Sequence, residues 1–259
     1  MGLPNKHYER DIQLPEYRKV MLKEIEKDLL NDKNVLAVFY GGSIANQNTD
    51  LYSDIDLRII VKDGVFEEYR LNKKERAKRW GEVLYFEDFP STTYSVAHYD
   101  TFIKVDTFYY KTKDIQPSVW LQSISIIYDK TGFMKEVLEK SKKLYYSPNV
   151  QEVDLWRTKF FAYVHEVYRR VNREELYYAL SCLDNVRMSM VTAWYMDKGL
   201  QPNTFGDWAK YEGKSSKLES WQLSLLADWQ SNREPSEIME VIKKLSLNLK
   251  KYIKVYVKK

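Results

Sequence analysis

The chain has 259 residues and a net charge of +4, from 41 lysines and arginines against 37 aspartates and glutamates. So mild a charge gives no whole-molecule attraction for polyanions, which disfavours nucleic acid as a partner. Cys182 is the single cysteine, so an intrachain disulfide and a cysteine-rich zinc site are excluded. No stretch reaches the ~18 uncharged apolar residues of a membrane span, and the first residues contain no apolar signal region. We therefore expect a cytoplasmic protein with no membrane partner.

The first part of the chain mixes helical and strand-like patterns. Apolar residues recur at helical spacing in some segments and form alternating or short buried runs in others. The predicted helices cover residues 16–30, 72–80 and a segment that starts near 133, and the predicted strands cover 35–40, 54–61, 83–86, 94–97, 101–110 and 124–128. This order predicts a mixed β-sheet flanked by helices.

After Pro148 the strand pattern ends and only helical spacing remains. The predicted helices cover 155–171, 174–198, 218–229 and 236–257, and Gly199 stands where a C-terminal cap is expected. A strand-bearing half followed by an all-helical half predicts an α+β protein. We expect two domains, residues 1–150 and 151–259, the second of which is a helical bundle.

A glycine-serine turn follows the first predicted strand. Gly41 and Gly42 come directly after Phe39-Tyr40, and two glycines let the backbone turn sharply and approach a ligand closely. If a helix starts at Ser43, its free N–H groups and its hydroxyl group are suited to bind phosphate. We therefore predict that Gly42 and Ser43 bind a triphosphate, with an ordinary tight turn as the alternative.

Three aspartates are candidates for a metal site. Asp54 and Asp56 stand two apart on a predicted strand, so their carboxylates face the same side and favour a bound cation, most simply Mg²⁺. Asp106 lies in the middle of a later strand, where a carboxylate needs a compensating partner. A surface acid paired with Lys104 is the alternative for Asp106, and two solvated surface acids are the alternative for Asp54 and Asp56.

The three carboxylates suit phosphoryl chemistry. Two magnesium ions bound by Asp54, Asp56 and Asp106 would activate the attacking oxygen and neutralise a leaving pyrophosphate. Arg58 shares the face of Asp54 and Asp56, where it can form a salt bridge to an aspartate or contact the triphosphate. We include Arg58 among the nucleotide-binding candidates.

These motifs resemble the signature of a known superfamily. Gly42-Ser43, then Asp54-x-Asp56, then a strand aspartate at Asp106 is similar to the pattern of the DNA polymerase β-like nucleotidyltransferases. The resemblance is strongest over residues 35–60 and extends over most of the chain. It implies that residues 1–150 form a nucleotidyltransferase catalytic domain and that residues 151–259 form a helical substrate-binding domain.

Within the superfamily, the chain looks most like the bacterial antibiotic nucleotidyltransferases. The aminoglycoside adenylyltransferases that modify streptomycin-type drugs come first, and the lincosamide nucleotidyltransferases come second. The segment Ile103-Lys104-Val105-Asp106 departs from the Arg-Ile-Asp-Leu expected in the streptomycin-modifying group. The additional similarity to a helix of the aminoglycoside group's C-terminal domain lies in Arg173-Glu174-Glu175-Leu176, Leu183, Val186-Arg187 and Trp194.

The resemblance implies an activity and a set of partners. It implies transfer of AMP, or another nucleoside monophosphate, from ATP or another nucleoside triphosphate to a hydroxyl of a small molecule, with Mg²⁺ as cofactor and pyrophosphate as product. The implied acceptor is an aminoglycoside-like antibiotic or a lincosamide, which is bound between the two domains. This activity would confer antibiotic resistance, and the enzyme would be a monomer or a homodimer.

The general base and the acceptor contacts stay open in the sequence. A base must take the proton of the acceptor hydroxyl, and Asp106 could do so while it binds metal. Glu87, Glu166 and Glu175 are the other candidates, both for the base and for contacts to a cationic substrate. Two further functions are consistent with the same motifs: a nucleotidyltransferase that acts on protein or RNA in a toxin–antitoxin pair, and a catalytically silent nucleotide-binding protein.

Overall fold

The computed structural model of the protein describes residues 7–213 and 216–256. Its strands are β1 (Val35–Tyr40), β2 (Ile55–Val61), β3 (Val83–Glu87), β4 (Tyr94–Tyr99), β5 (Lys104–Tyr110) and β6 (Ser125–Asp129). Its α-helices are α1 (Tyr8–Asp11), α2 (Leu14–Leu30), α3 (Gly42–Ala45), α4 (Phe66–Leu71), α5 (Lys73–Ala77), α6 (Phe133–Ser141), α7 (Val150–Asn172), α8 (Leu176–Asp197), α9 (Ser220–Asp228) and α10 (Pro235–Tyr256). This element order confirms the predicted α+β class.

The main differences from the prediction lie at element ends and in short helices. Strand β5 begins at Lys104 rather than at residue 101, because Phe102 has a positive φ of 65° and turns the chain back towards β4. Helices α1 and α4 were not predicted, since four and six residues are too few for helical spacing to show. Val257, the predicted end of the last helix, lies outside the described residues.

The six strands form one mixed sheet in the order β3-β4-β5-β2-β1-β6. Strands β2 and β5 are parallel neighbours, and every other neighbouring pair is antiparallel. A parallel pair needs a long crossover connection; between β2 and β5 the chain passes through α4, α5 and the β3–β4 hairpin. The parallel pair places residue 56 directly opposite residue 106.

The two faces of the sheet differ in character around β2 and β5. Ile55, Leu57 and Ile59 alternate along β2 with Asp56 and Arg58, and the three apolar residues are fully buried. They join Val105 and Tyr109 of β5 in the main core of this unit, which also contains α2. Since alternate residues face opposite sides of a sheet, the same alternation directs Asp56, Arg58 and Asp106 to the other side.

The C-terminal helices have a core of their own. Trp156 and Phe160 of α7 pack with the buried face of α8 and with Trp229 and Ile238. The indole rings of Trp194 and Trp229 stack with centroids 5.7 Å apart. Gly199 ends α8 with a positive φ of 66°, the left-handed cap geometry expected from its position.

The chain divides into two compact units between Leu144 and Tyr145. The N-terminal unit contains the sheet and α1 to α6, and the C-terminal unit contains α7 to α10. Within residues 7–213 and 216–256, no helix combines the length and the apolar character that crossing a membrane requires.

Candidate active site

The turn between β1 and α3 approaches β2 very closely. Gly42 has a φ of +56°, and a Cβ atom at this position would lie 1.8 Å from Oδ2 of Asp56. The backbone N–H of Gly41 donates a hydrogen bond of 2.9 Å to the carbonyl oxygen of Asp56. The glycine at position 42 is therefore required for two reasons, its positive φ and the space taken by the aspartate.

Asp56 and Asp106 are directly paired across the parallel strands β2 and β5. Paired residues on neighbouring strands lie about 5 Å apart and face the same side of the sheet. Asp54 stands immediately before β2. The structure thus brings all three predicted aspartates, together with Gly42 and Ser43, to one end of the sheet.

Lys104 lies between two of these aspartates. Its Nζ atom is 2.8 Å from Oδ2 of Asp54 and 3.1 Å from Oδ2 of Asp106. Burial alone would lower the pKa of Lys104, but the two carboxylates outweigh it and raise that pKa to about 12. The ion pair between Asp106 and Lys104, the alternative considered for Asp106 in the sequence, is therefore present.

Two side-chain oxygen atoms of the predicted site residues are shielded from solvent and lack a hydrogen-bond partner among the described residues. They are Oδ1 of Asp106 and the hydroxyl oxygen of Ser43. Burial raises the pKa of Asp106, and nearby Asp54 and Asp56 raise it further, although Lys104 opposes the shift. Since shielded polar atoms are nearly always satisfied in proteins, these two mark a place where a ligand is expected.

Arg58 lies over the glycine turn and beside Asp56. Its Nη1 atom is 3.3 Å from Oδ1 of Asp56 without hydrogen-bond alignment, and its guanidinium group stacks 4.7 Å above the ring of Phe108. A Cβ on Gly41 would lie 2.8 Å from Nη1 of Arg58. The contact to Asp56 is the salt bridge that the sequence offered as one of two roles for Arg58.

Arg18 of α2 supports the loop that precedes Asp54, and sequence reasoning missed it. The buried guanidinium group donates to the carbonyl oxygens of Asp50, Leu51 and Ser53 at 2.7–3.2 Å. A signal was present in the sequence, because Arg18 occupies a core-facing position of the helix between Leu14 and Met21. A buried cation at such a position indicates specific acceptors.

The three glutamates named as candidates lie in two different settings. Glu87 is on the edge strand β3, in a row of directly paired residues that continues through Val96 to Asp106 and Asp56. Its Oε1 is 2.6 Å from Nε2 of His98.

Glu166 and Glu175 belong to the helical unit, where both pair with Arg170, and Glu175 also pairs with Arg173. Within the sheet unit, Glu87 is the candidate glutamate that lies on the aspartate-bearing side.

The oxygen atoms at this end of the sheet are of the chemical type that binds a hard divalent cation. Carboxylate and hydroxyl oxygens from Asp54, Asp56, Asp106 and Ser43 are the ligand type that Mg²⁺ prefers, and Oδ1 of Asp106 has no partner in the part of the chain that the structure describes. As the side chains stand, no group of three His, Cys, Asp or Glu residues in the described part of the chain is arranged to hold a metal ion. Lys104 and Arg58 are instead the cationic neighbours of these carboxylates.

A mixed sheet with a glycine-serine turn against paired strand aspartates has the architecture of a nucleotidyltransferase. The chain belongs to the streptomycin adenylyltransferase family, whose model matches residues 16–222. The match covers both the sheet and much of the helical unit, and it confirms the nucleotidyltransferase class predicted from the sequence.

Two solved structures align with most of the chain at low identity. An aminoglycoside 6-adenyltransferase from Bacillus subtilis is 15% identical with a TM-score of 0.40, over 92% of this chain and 89% of that one. A nucleotidyltransferase-like protein from Exiguobacterium sibiricum is 13% identical with a TM-score of 0.44, over 90% of this chain and 75% of that one. A comparison with curated protein sequences finds no match.

Proposed function

We propose that the protein transfers AMP from ATP to a hydroxyl group of an aminoglycoside-like small molecule and releases pyrophosphate. The observation that carries this proposal is the direct pairing of Asp56 with Asp106 beside Gly42, whose missing Cβ leaves room for Asp56. Membership of the streptomycin adenylyltransferase family supports the same reaction. A lincosamide is the second acceptor class that we propose to test.

The glycine-serine turn binds the triphosphate in this proposal. A ligand oxygen near Ser43 would satisfy its hydroxyl group, which has no partner among the described residues. The N–H group of Gly41 already donates to Asp56, so the phosphate oxygens would be bound by the N–H groups at the start of α3. Arg58 adds a positive charge next to this turn, where it can bind phosphate while it stays paired with Asp56.

Asp54, Asp56 and Asp106 hold magnesium, and we propose two ions, as the sequence predicts. Bound magnesium would neutralise the charge of the triphosphate and orient it for attack. The protein's own residues fix the position of the nucleotide and hold the carboxylates within reach of it. Oδ1 of Asp106 is shielded from solvent and has no partner among the described residues, and it is the atom that we propose as acceptor for the hydroxyl proton.

Glu87 is the acid that we propose for contact with the acceptor. It lies two strands from Asp106 in one row of the sheet, a separation of about 10 Å at the usual strand spacing. An amino sugar can span this distance, and an exposed carboxylate attracts its ammonium groups. In the described part of the chain, Glu87 has a contact from His98 at one oxygen only, whereas both oxygens of Glu166 and both of Glu175 are paired with arginines, so we give these two a structural role.

The test is pyrophosphate release from ATP and Mg²⁺ with a panel of aminoglycosides, lincosamides, RNA and bacterial protein extract. The proposal predicts release only with a small-molecule drug, and a loss of at least about 100-fold in Asp56→Asn. Asp63→Asn removes an exposed acid from the same unit and keeps full activity. Release with RNA or protein supports a macromolecular target instead, and no release under any condition supports a silent nucleotide-binding protein.

A further inference from the structure

Lys104 is a cation that the chain itself supplies to the aspartate site. It stands two residues before Asp106 on β5, so both side chains face the same side of the sheet. Its ammonium group lies within 3.1 Å of one carboxylate oxygen of Asp54 and one of Asp106.

A cation between these aspartates reduces the repulsion among their carboxylates. Three carboxylates at one end of a sheet repel each other, and the repulsion is strong where water is partly excluded. The ammonium group of Lys104 offsets the charges of Asp54 and Asp106 through direct contacts. With these contacts made, no group of three acids in the described residues is arranged around a point where a metal could bind.

The side chain of Lys104 is able to leave. It is 37% exposed, so its movement opens no core, and its long stem allows the ammonium group to reach other acceptors. His98, directly opposite on β4, pairs with Glu87 rather than with a residue of the aspartate site. Two other cations stay near the site when Lys104 moves: Arg58 beside Asp56, and Arg18, which is close enough to Asp54 to interact with its charge but donates its hydrogen bonds to loop carbonyls.

We propose that Lys104 is an internal counter-cation that competes with the divalent metal for Asp54 and Asp106. The inference rests on the proposed metal-dependent function and adds that the free enzyme binds its metal weakly. Binding of the metal requires that the ammonium group moves away from both carboxylates. Lys104 thereby keeps three acids folded close together when no metal is bound, at the cost of metal affinity.

The experiment measures Mn²⁺ binding to the free, full-length protein by the loss of the electron paramagnetic resonance signal of free Mn²⁺. We expect Lys104→Met to bind Mn²⁺ at least about tenfold more tightly than the wild type, because a competing charge is gone. Lys104→Arg keeps the positive charge, so this variant should bind Mn²⁺ as weakly as the wild type. Lys78→Met is the control for net charge, because it removes a lysine that forms an exposed pair with Glu75. It should also bind Mn²⁺ as weakly as the wild type.

A second readout uses stability. In EDTA the Tm of Lys104→Met should fall below that of the wild type, and Mn²⁺ should restore it by a larger increment. Lys104→Gln, which keeps a polar side chain, replaces the methionine variant if the latter melts too early for titration. Equal Mn²⁺ affinity in the wild type and the uncharged variants overturns the role of Lys104. Absence of Mn²⁺ binding in every variant overturns the metal site itself, and with it the proposed function.

Discussion

The acids of the sheet and the acids of the helical unit differ in how completely they are satisfied. In the helical unit, Glu166 and Glu175 share Arg170 at 2.9 and 2.5 Å. In the sheet, Asp106 has one oxygen on Lys104 and a second oxygen that is shielded and unpartnered among the described residues. Both sets are charged and partly exposed, but one forms a complete network and the other does not.

This difference in pairing indicates which acids are candidates for ligand binding and catalysis. A carboxylate whose oxygens are both paired with arginines has little need of a ligand, as in the pairs of Arg170. An incomplete set of shielded acids raises the energy of the fold, and a ligand can recover that energy when it binds. Substitutions at the sheet site should therefore change activity more than substitutions at the paired acids.

Gly42→Ala should have the largest effect on activity. Its Cβ would lie 1.8 Å from Oδ2 of Asp56, so the aspartate or the turn must move, and displacements of this size cost about 100-fold in rate. Gly132→Ala is the matched control, because Gly132 also has a positive φ but nothing within 4 Å of its Cβ position. The positive φ should cost roughly 1–2 kcal/mol of stability in both variants, and Gly42→Ala should lose more because of its clash with Asp56. Equal kcat/KM values in the two variants would contradict the role of the turn.

Arg18→Met should affect stability first and activity second. It removes the donors of three loop carbonyls next to Asp54, which should cost roughly 2–4 kcal/mol in the free energy of unfolding. We expect kcat to fall about tenfold because the aspartate is less well positioned. Urea unfolding measures the first effect and steady-state kinetics the second. Arg79→Met is the control, because it removes a 58% exposed guanidinium group and should change neither the free energy of unfolding nor kcat. If Arg18→Met has the stability and kcat of the wild type, the loop does not depend on Arg18.

Asp32→Asn tests a fully paired acid within the sheet unit. Burial alone would raise the pKa of Asp32, but hydrogen bonds from Tyr69, from the N–H of Asn34 and from Arg76 hold it below the ordinary value. Because the folded-state pKa is depressed, the stabilisation is present above the ordinary aspartate pKa and is lost as the pH falls through the folded-state value. At pH 7 the variant should lose roughly 1–3 kcal/mol.

The measurement is the Tm of the wild type and of Asp32→Asn as a function of pH. The difference between them should narrow below about pH 4, whereas Asp63→Asn should follow the wild type throughout. If the difference in Tm between the wild type and Asp32→Asn stays constant as the pH falls, ionisation of Asp32 does not contribute to stability.

Glu166→Gln and Glu175→Gln should have the smallest effects. Both acids are partly exposed ion-pair partners, and such pairs contribute little to stability. We expect the Tm to fall by at most a few degrees, with kcat and KM for the drug unchanged. Under the same assay, Glu87→Gln should raise KM for an aminoglycoside. A raised KM in the helical variants instead would assign acceptor binding to the helical unit.

The fold class could be predicted from the sequence, and the candidate site residues proposed from it, because both follow from local patterns. Alternation in β2 and β5 determines which residues share a face, and the Gly42-Ser43 and Asp54-x-Asp56 motifs are short. The parallel pairing that sets Asp56 opposite Asp106 could not be read, because strand order depends on long-range contacts. The turn at Phe102 was missed for a similar reason, since a positive φ at a non-glycine residue has no clear sequence signal.

The contacts of individual cations were the least predictable part. Lys104 was expected as a partner of Asp106 in one of two interpretations, but its simultaneous contact with Asp54 depends on where β2 begins. Arg18 was given no role from the sequence, although it is only 5% exposed. Long flexible side chains can reach several acceptors, and only tertiary structure decides among them.

The most direct test of the metal site is anomalous scattering from crystals grown with Mn²⁺ and a non-hydrolysable ATP analogue. We predict a peak about 2.1 Å from carboxylate oxygens of Asp56 and Asp106, next to the triphosphate, with the ammonium group of Lys104 displaced. A peak remote from these residues, or none while the analogue is bound, would contradict the claim that the sheet aspartates hold the metal.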